Sequence, residues 1–191
     1  MRNILFAFIL AVISLSSSAQ LREVPRSRIL SDNIVRDGAQ SILDDYTRAV
    51  EMAADCKNGG VHLKSFLQLF TPDAYIEVSS RSRTGTVSRT PAAYINGLRR
   101  LCVAGIYDEI HFDFSEDILE RSNLIYQFGG ACEIDRRIHQ TFRGYRNNVL
   151  TYCDVTIRRM SIVFYRLNDG SYQPFIKRIT IEETSDCAQS S

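Results

Sequence analysis

Ala131-Cys-Glu-Ile-Asp-Arg-Arg-Ile-His-Gln-Thr-Phe-Arg-Gly-Tyr145 is the stretch on which the fold turns. Cys132, Ile134, Ile138 and Phe142 sit at even positions. Glu133, Asp135, Arg137, His139, Thr141 and Arg143 sit at odd ones. A period of two marks a strand with one face in a core and the other turned away from it. Arg146-Asn-Asn148 reads as its turn, and Val149 to Leu167 as a longer, bent strand. Asn168-Asp-Gly170 is a hairpin signal, because asparagine, aspartate and glycine tolerate the positive φ that tight hairpins need. Ser171 to Glu183 then closes an antiparallel meander.

Upstream, Ile110 to Leu119 alternates in the same way, with Ile110, Phe112 and Phe114 opposite His111, Asp113 and Ser115. Asn123 to Phe128 is a further strand, and Gly129-Gly130 a bend. Before these strands the period changes. Ile42, Leu43, Tyr46, Ala49, Val50 and Ala53 recur at three- and four-residue steps, which predicts a helix over Gly38–Ala54. His62 to Phe70 is a short second helix with Leu63, Phe66, Leu67 and Phe70 inward, stopped by Thr71-Pro-Asp73. Ala74 to Ser79 is a short strand, and Arg81 to Arg89 a polar loop. Thr90-Pro91 opens a third helix, with threonine as N-cap and proline at the first helical position. The expected class is therefore α+β, with three N-terminal helices packed on a curved, mostly antiparallel sheet.

At the start of the chain, Met1-Arg-Asn precedes an apolar run of about a dozen residues and then Ser16-Ser-Ser-Ala-Gln20. That order predicts a signal peptide over residues 1–19, cut near Ala19. The run is short of the about 20 residues that a spanning helix needs. The expectation is a secreted or periplasmic protein with no membrane span after processing. An extended lead-in over 20–37, a domain over 38–183 and a tail over 184–191 would follow. Past residue 19 the chain has 22 basic and 22 acidic residues. A neutral balance offers no general attraction to nucleic acid, and none is expected as a partner. Five cysteines allow disulfides in an exported protein. Cys56 and Cys102, each near a helix end, are the first candidates. Cys132 and Cys153 read as small buried residues in strands. No Cys-x-x-Cys, His-Glu-x-x-His, phosphate loop or dinucleotide fingerprint occurs, so no metal and no cofactor is predicted.

The helix-then-meander order resembles the cone-shaped superfamily of ketosteroid isomerase, nuclear transport factor 2 and SnoaL-like proteins. The resemblance rests on Phe66-Leu-Gln-Leu-Phe70-Thr-Pro-Asp-Ala74, on the Thr90-Pro91 helix and on the hairpin at Asn168-Asp-Gly170, and covers Gly38 to Glu183. It implies a helix-covered sheet around a mostly apolar cavity, here lined by Tyr46, Phe66, Phe70, Tyr94, Phe112, Ile134 and Ile138. It implies little about activity, since such folds host many chemistries. The isomerases' general-base position falls on Val78, which cannot take a proton. Their oxyanion-binding acid falls near Ile162, Val163 and Phe164, and only Tyr46 matches their tyrosine. The dehydratase-like members pair a histidine with an aspartate, which His111-x-Asp113 and Asp135-x-Arg137-x-His139 could imitate. Those residues lie on the strand faces opposite the apolar ones.

The favoured expectation is a non-catalytic protein that binds a small apolar ligand in its cavity, or forms a homodimer through the outer sheet face, or both. Arg137, His139, Arg143, Tyr152 and Arg158 would carry the interface, with Asp154 and Thr156 outward beside them. One alternative is an isomerase or lyase using Tyr46 with a His-Asp pair. Another is a structural envelope protein with a filled core.

Overall fold

The computed structural model describes residues 31–57, 62–80, 83–116, 125–126 and 132–187. The expected leader, most of the lead-in, Gly129-Gly130 and the last four residues lie outside them. Helix α1 runs Asp32–Ala54, six residues earlier than the periodicity suggested. Val35 and Ala39 extend the stripe of Ile42, Tyr46 and Val50 backwards at three- and four-residue steps, and both are fully buried. The lead-in assigned to 20–37 therefore ends in helix.

Helix α2 is only Leu63–Leu67, because Phe70 already belongs to strand β1, Phe70–Ser80. Pro72 sits inside β1 where the pairing slips between Phe70 and Tyr75, one of the few places a sheet accepts proline. The polar loop expected at 81–89 is strand β2, Arg83–Arg89. It forms one edge of the sheet and pairs only with β1. Residues 85–88 are all exposed, so nothing there requires alternation. Helix α3, Pro91–Val103, is capped by Thr90, whose Oγ1 accepts from Ala93 N at 3.2 Å.

Strands β3 (Glu109–Glu116), β4 (Ile125–Tyr126), β5 (Cys132–Arg146), β6 (Val149–Arg166) and β7 (Tyr172–Asp186) complete the sheet. The order is β2-β1-β7-β6-β5-β3, with β4 beside β5. All pairings are antiparallel except β1 with β7. Asn147 and Asn148 turn the β5–β6 hairpin with φ of 51° and 61°, the primed-turn geometry that matches strand twist.

Cys56 and Cys102 are bonded, tying the end of α1 to α3 across 5.2 Å between Cα atoms. A second bridge joins Cys153 of β6 to Cys187. Cys153 is thus no mere small core residue, and 184–187 is no loose tail. Cys132 is buried and outside both bridges. By chain entropy, loops of 46 and 34 residues are each worth about 4 kcal/mol. No helix among the described residues is long and apolar enough to cross a membrane.

Candidate functional site

The helices cover one face of the sheet, and the strand register fixes which residues meet beneath them. On β5 the even positions turn inward: Ile134 and Ile138 are at most 1% exposed. Phe114 pairs with Gln140, which pairs with Thr156. In the next row Glu116 pairs with Ile138, which pairs with Arg158. Above these rows sit Tyr46 of α1 and Tyr94 of α3. Tyr46 touches Phe66, Phe70 and Phe114 at ring-centroid distances of 6.1, 6.2 and 5.9 Å. Every residue assigned to the cavity wall, namely Tyr46, Phe66, Phe70, Tyr94, Phe112, Ile134 and Ile138, belongs to this buried cluster.

The same interior holds polar groups. Arg158 is 3% exposed, Gln140 3% and Thr156 2%. The Arg158 guanidinium lies over the Tyr94 ring, 5.8 Å from its centroid, a cation–π contact. Its Nε donates to Thr156 Oγ1 at 3.0 Å, and that hydroxyl donates to the Gln140 carbonyl at 3.4 Å. Arg158 Nη1, the Tyr46 and Tyr94 hydroxyls and Gln140 Oε1 are buried without a hydrogen bond of good geometry. Burial pushes the Tyr46 hydroxyl far above the ordinary tyrosine value; Tyr94 adds to the rise and Arg158 opposes it. Tyr46 is therefore a neutral donor at any physiological pH.

The inward carboxylates nearby are engaged. Asp154 accepts from the Tyr152 hydroxyl at 2.7 Å, and Glu116 pairs with Arg136 at 3.0 Å. Arg136 also donates to the Arg36 carbonyl of α1 at 3.3 Å. Between α1 and β3 lies an opening of about 240 Å³; Leu43, Phe114 and Ile138 form its apolar part, and Asp44, Glu51 and Glu116 put three carboxylates on its wall.

The outward placement of Tyr152, Asp154, Thr156 and Arg158 is corrected. Even positions of β6 face inward with Met160, Ile162 and Phe164, each at most 1% exposed. Tyr152 packs on Phe142 at 5.7 Å. Val155 and Ile157 take the outer side. The signal was present: the alternation set by Met160, Ile162 and Phe164, carried back without a break, puts Arg158 inside. Three apolar residues, Cys153, Val155 and Ile157, compete with it locally.

Arg137, His139 and Arg143 do lie on the outer face. Arg137 Nε and Arg159 Nε both donate to Glu182 at 2.8 Å. Hydrogen bonds from Arg159 first, and from Arg137, hold the Glu182 carboxyl below its ordinary range. Arg143 pairs with Asp113, and Ser161 donates to Asp135. His111 meets Glu109 at 2.7 Å and the edge of Tyr145. Neither histidine shares a face with Tyr46, so the Tyr46 and His-Asp combination is not assembled. Val78 lies half-buried on β1, and the Glu77 carboxylate accepts from the Ile181 amide at 2.9 Å. Among the described residues no group of three His, Cys, Asp or Glu is placed to hold a metal ion.

No family model matches the chain, and no curated protein does. Solved structures do match. A protein of Catenulispora acidiphila is 14% identical, with 80% of this chain and 93% of that one covered and a TM-score of 0.49. The beta subunit of benzoate 1,2-dioxygenase from Burkholderia mallei is 12% identical, with 75% and 86% covered and a TM-score of 0.45. A ketosteroid isomerase-like protein of Erwinia carotovora atroseptica is 11% identical, with 82% and 95% covered and a TM-score of 0.40. Likenesses of this order carry no argument about activity. The element order, the mixed sheet with its long β5-β6-β7 meander, and the helix-covered inner face make an α+β cone fold.

Proposed function

We propose that the protein is an exported, non-catalytic binder that takes a small, largely apolar ligand between α1 and the inner face of the sheet. The observation that carries this is the aromatic interior around Tyr46, with an opening beside it that Leu43, Phe114 and Ile138 help to line. The isomerase-type reading is disfavoured: Val78 stands at the general-base position, and His111 and His139 lie on the other face of the sheet. Two disulfides support export, since such bridges persist in oxidising compartments.

The test is isothermal titration calorimetry with a panel of small aryl and alkyl compounds. Binding with a negative heat-capacity change is expected, because apolar surface is buried. A flat response across the panel refutes binding and favours a filled structural core. Export is tested by mass spectrometry of exported protein, where Gln20 should be N-terminal; intact Met1 would refute it.

A second reading is a homodimer through the outer face. Val155 and Ile157 form an apolar strip there among paired charges, and their half-burial leaves area to cover. Exposed ion pairs are worth at most about 1 kcal/mol each and would set register rather than affinity. A monomer at high concentration in analytical ultracentrifugation, or a dimer indifferent to Arg137→Glu, removes this interface.

A further inference from the structure

Independently of ligand binding, we propose that copies of this chain join edge to edge, strand β2 of one copy docking in the groove beside strand β3 of the next. Among the described residues β2 and β3 are the two ends of the sheet, and each has a strand partner on one side only. An edge strand leaves a row of N–H and C=O groups unpaired, a template for another strand. The two edges differ in charge, although the chain past residue 19 is neutral. Ser79 to Thr90, which contains β2, has three arginines and no acid. At the other edge, two openings of about 560 and 240 Å³ share Glu51 and follow α1 along β3. Asp44, Glu51, Asp55, Asp108 and Glu109 line them, with Lys57 and His111 as the basic side chains. Asp44, Glu51 and Asp55 recur at seven- and four-residue steps, so one face of α1 carries all three. Among the described residues neither Arg89 nor Glu51 has an ion-pair partner.

The charges select the occupant. Antiparallel pairing of β2 with itself about Thr86 sets Arg83 opposite Arg89, and pairing of β3 with itself about its centre sets Glu109 opposite Glu116. Like charges directly opposite each other destabilise a ladder. Pairing β2 with β3 brings opposite signs together instead. The ladders make β2 and β3 run in the same direction. A copy arriving in the same orientation therefore lays its β2 parallel to β3, as β1 already lies to β7. A strand of seven residues meets one of eight. Arg89 pairs with the fully buried Ile76 and Val87 with Val78, so both stand on the helix side of the sheet and would face α1. Asp44 lies with Phe114 and Glu116 at the far end of β3, which is the end Arg89 reaches when the strands are aligned. The exposed Val87 adds apolar contact. Each docking uses one edge of each kind and leaves one of each kind, so the contact repeats in a row and does not close as a dimer.

Sedimentation velocity of the full exported chain tests this. At low salt the mean size should keep growing with concentration. At about 1 M salt, where screening acts within about 3 Å, it should fall back to monomer. Arg89→Glu should weaken association at least about tenfold, and so should Asp44→Lys combined with Glu51→Lys. Mixing the two reversed proteins should restore it, because each reversed edge then meets a reversed partner. Arg137→Glu should leave the row intact. A wild type that stays monomeric at every concentration refutes the contact. So does growth that stops at a dimer and is lost with Arg137→Glu, which is the behaviour of the outer-face interface. Reversals without effect, or a mixture that stays monomeric, refute it as well. Should a reversed protein not fold, Arg89→Gln and Glu51→Gln should each weaken association, and no weakening overturns the assignment.

Discussion

Gly144 offers the sharpest test of the packing beneath the cone's helices. It lies on β5, buried, between Ile110 and Tyr152. A Cβ built there would stand 2.5, 2.6 and 2.7 Å from three atoms of the Tyr107 ring. That ring cannot swing freely. Phe142 meets it at 5.8 Å, and burial first, then the charge of Asp154, raises its hydroxyl pKa. Its backbone N–H donates to the Leu101 carbonyl, one residue from Cys102 of the first disulfide. In a strand, replacing glycine by alanine should gain about 0.5–1 kcal/mol of backbone entropy. Forcing a methyl into a packed aromatic costs about 1–3 kcal/mol. The net expectation for Gly144→Ala is a loss of about 1–2 kcal/mol. For a domain of this size that lowers the melting temperature by roughly 2–8 °C. Urea titration of four proteins settles it: wild type, Gly144→Ala, Tyr107→Ala and the double variant. With Tyr107 truncated, Gly144→Ala should be neutral or stabilising, a coupling of about 1 kcal/mol or more. Equal cost in both backgrounds, or a stabilising Gly144→Ala in the wild type, would refute the contact.

Three further outcomes are expected. Thr90→Ala should cost about 1 kcal/mol in urea titration and Thr90→Ser little, because the hydroxyl caps Ala93 N; identical midpoints for alanine and wild type would place the helix start elsewhere. In an alkaline spectrophotometric titration, Tyr46 should stay protonated after the exposed tyrosines ionise. Its folded pKa is raised, so its contribution to stability is full below the unfolded value of about 10 and is lost as pH climbs above it. Tyr46→Phe should remove that late step, and a Tyr46 that titrates with the others would mean its burial is misread. Glu182 has a lowered pKa, so its contribution holds above the ordinary carboxylate range and fades as pH falls through the folded value. Glu182→Gln should flatten the acid limb of a stability–pH profile, and an unchanged limb would discount the Arg137 and Arg159 bonds.

Much of this molecule was legible one residue at a time. The period-two runs of β3 and β5, the Asn-Asn and Asn-Asp-Gly turns, the Thr90-Pro91 start of α3 and the apolar stripe of α1 are all local signals. Backbone preference and side-chain direction at neighbouring positions create them, so the order of amino acids carries them without help. The Cys56–Cys102 bridge followed because two helix ends were recognised, although nothing local fixes a pairing.

Tertiary structure decided what depends on distant partners. Residues 85–88 of β2 are exposed, and its ladder with β1 makes it a strand. The parallel contact of β1 with β7 joins residues more than a hundred positions apart. Cys187 finds Cys153 only because β7 runs beside β6 to its end. Arg158 is the clearest case. A charged residue two places from Met160 can stand on either side of a bent strand as far as its neighbours tell. The register Ile138–Arg158 and the Tyr94 ring above it turn it inward. Polar groups in an interior are set by the elements that close over them, and a strand pattern read in isolation contains no record of those elements.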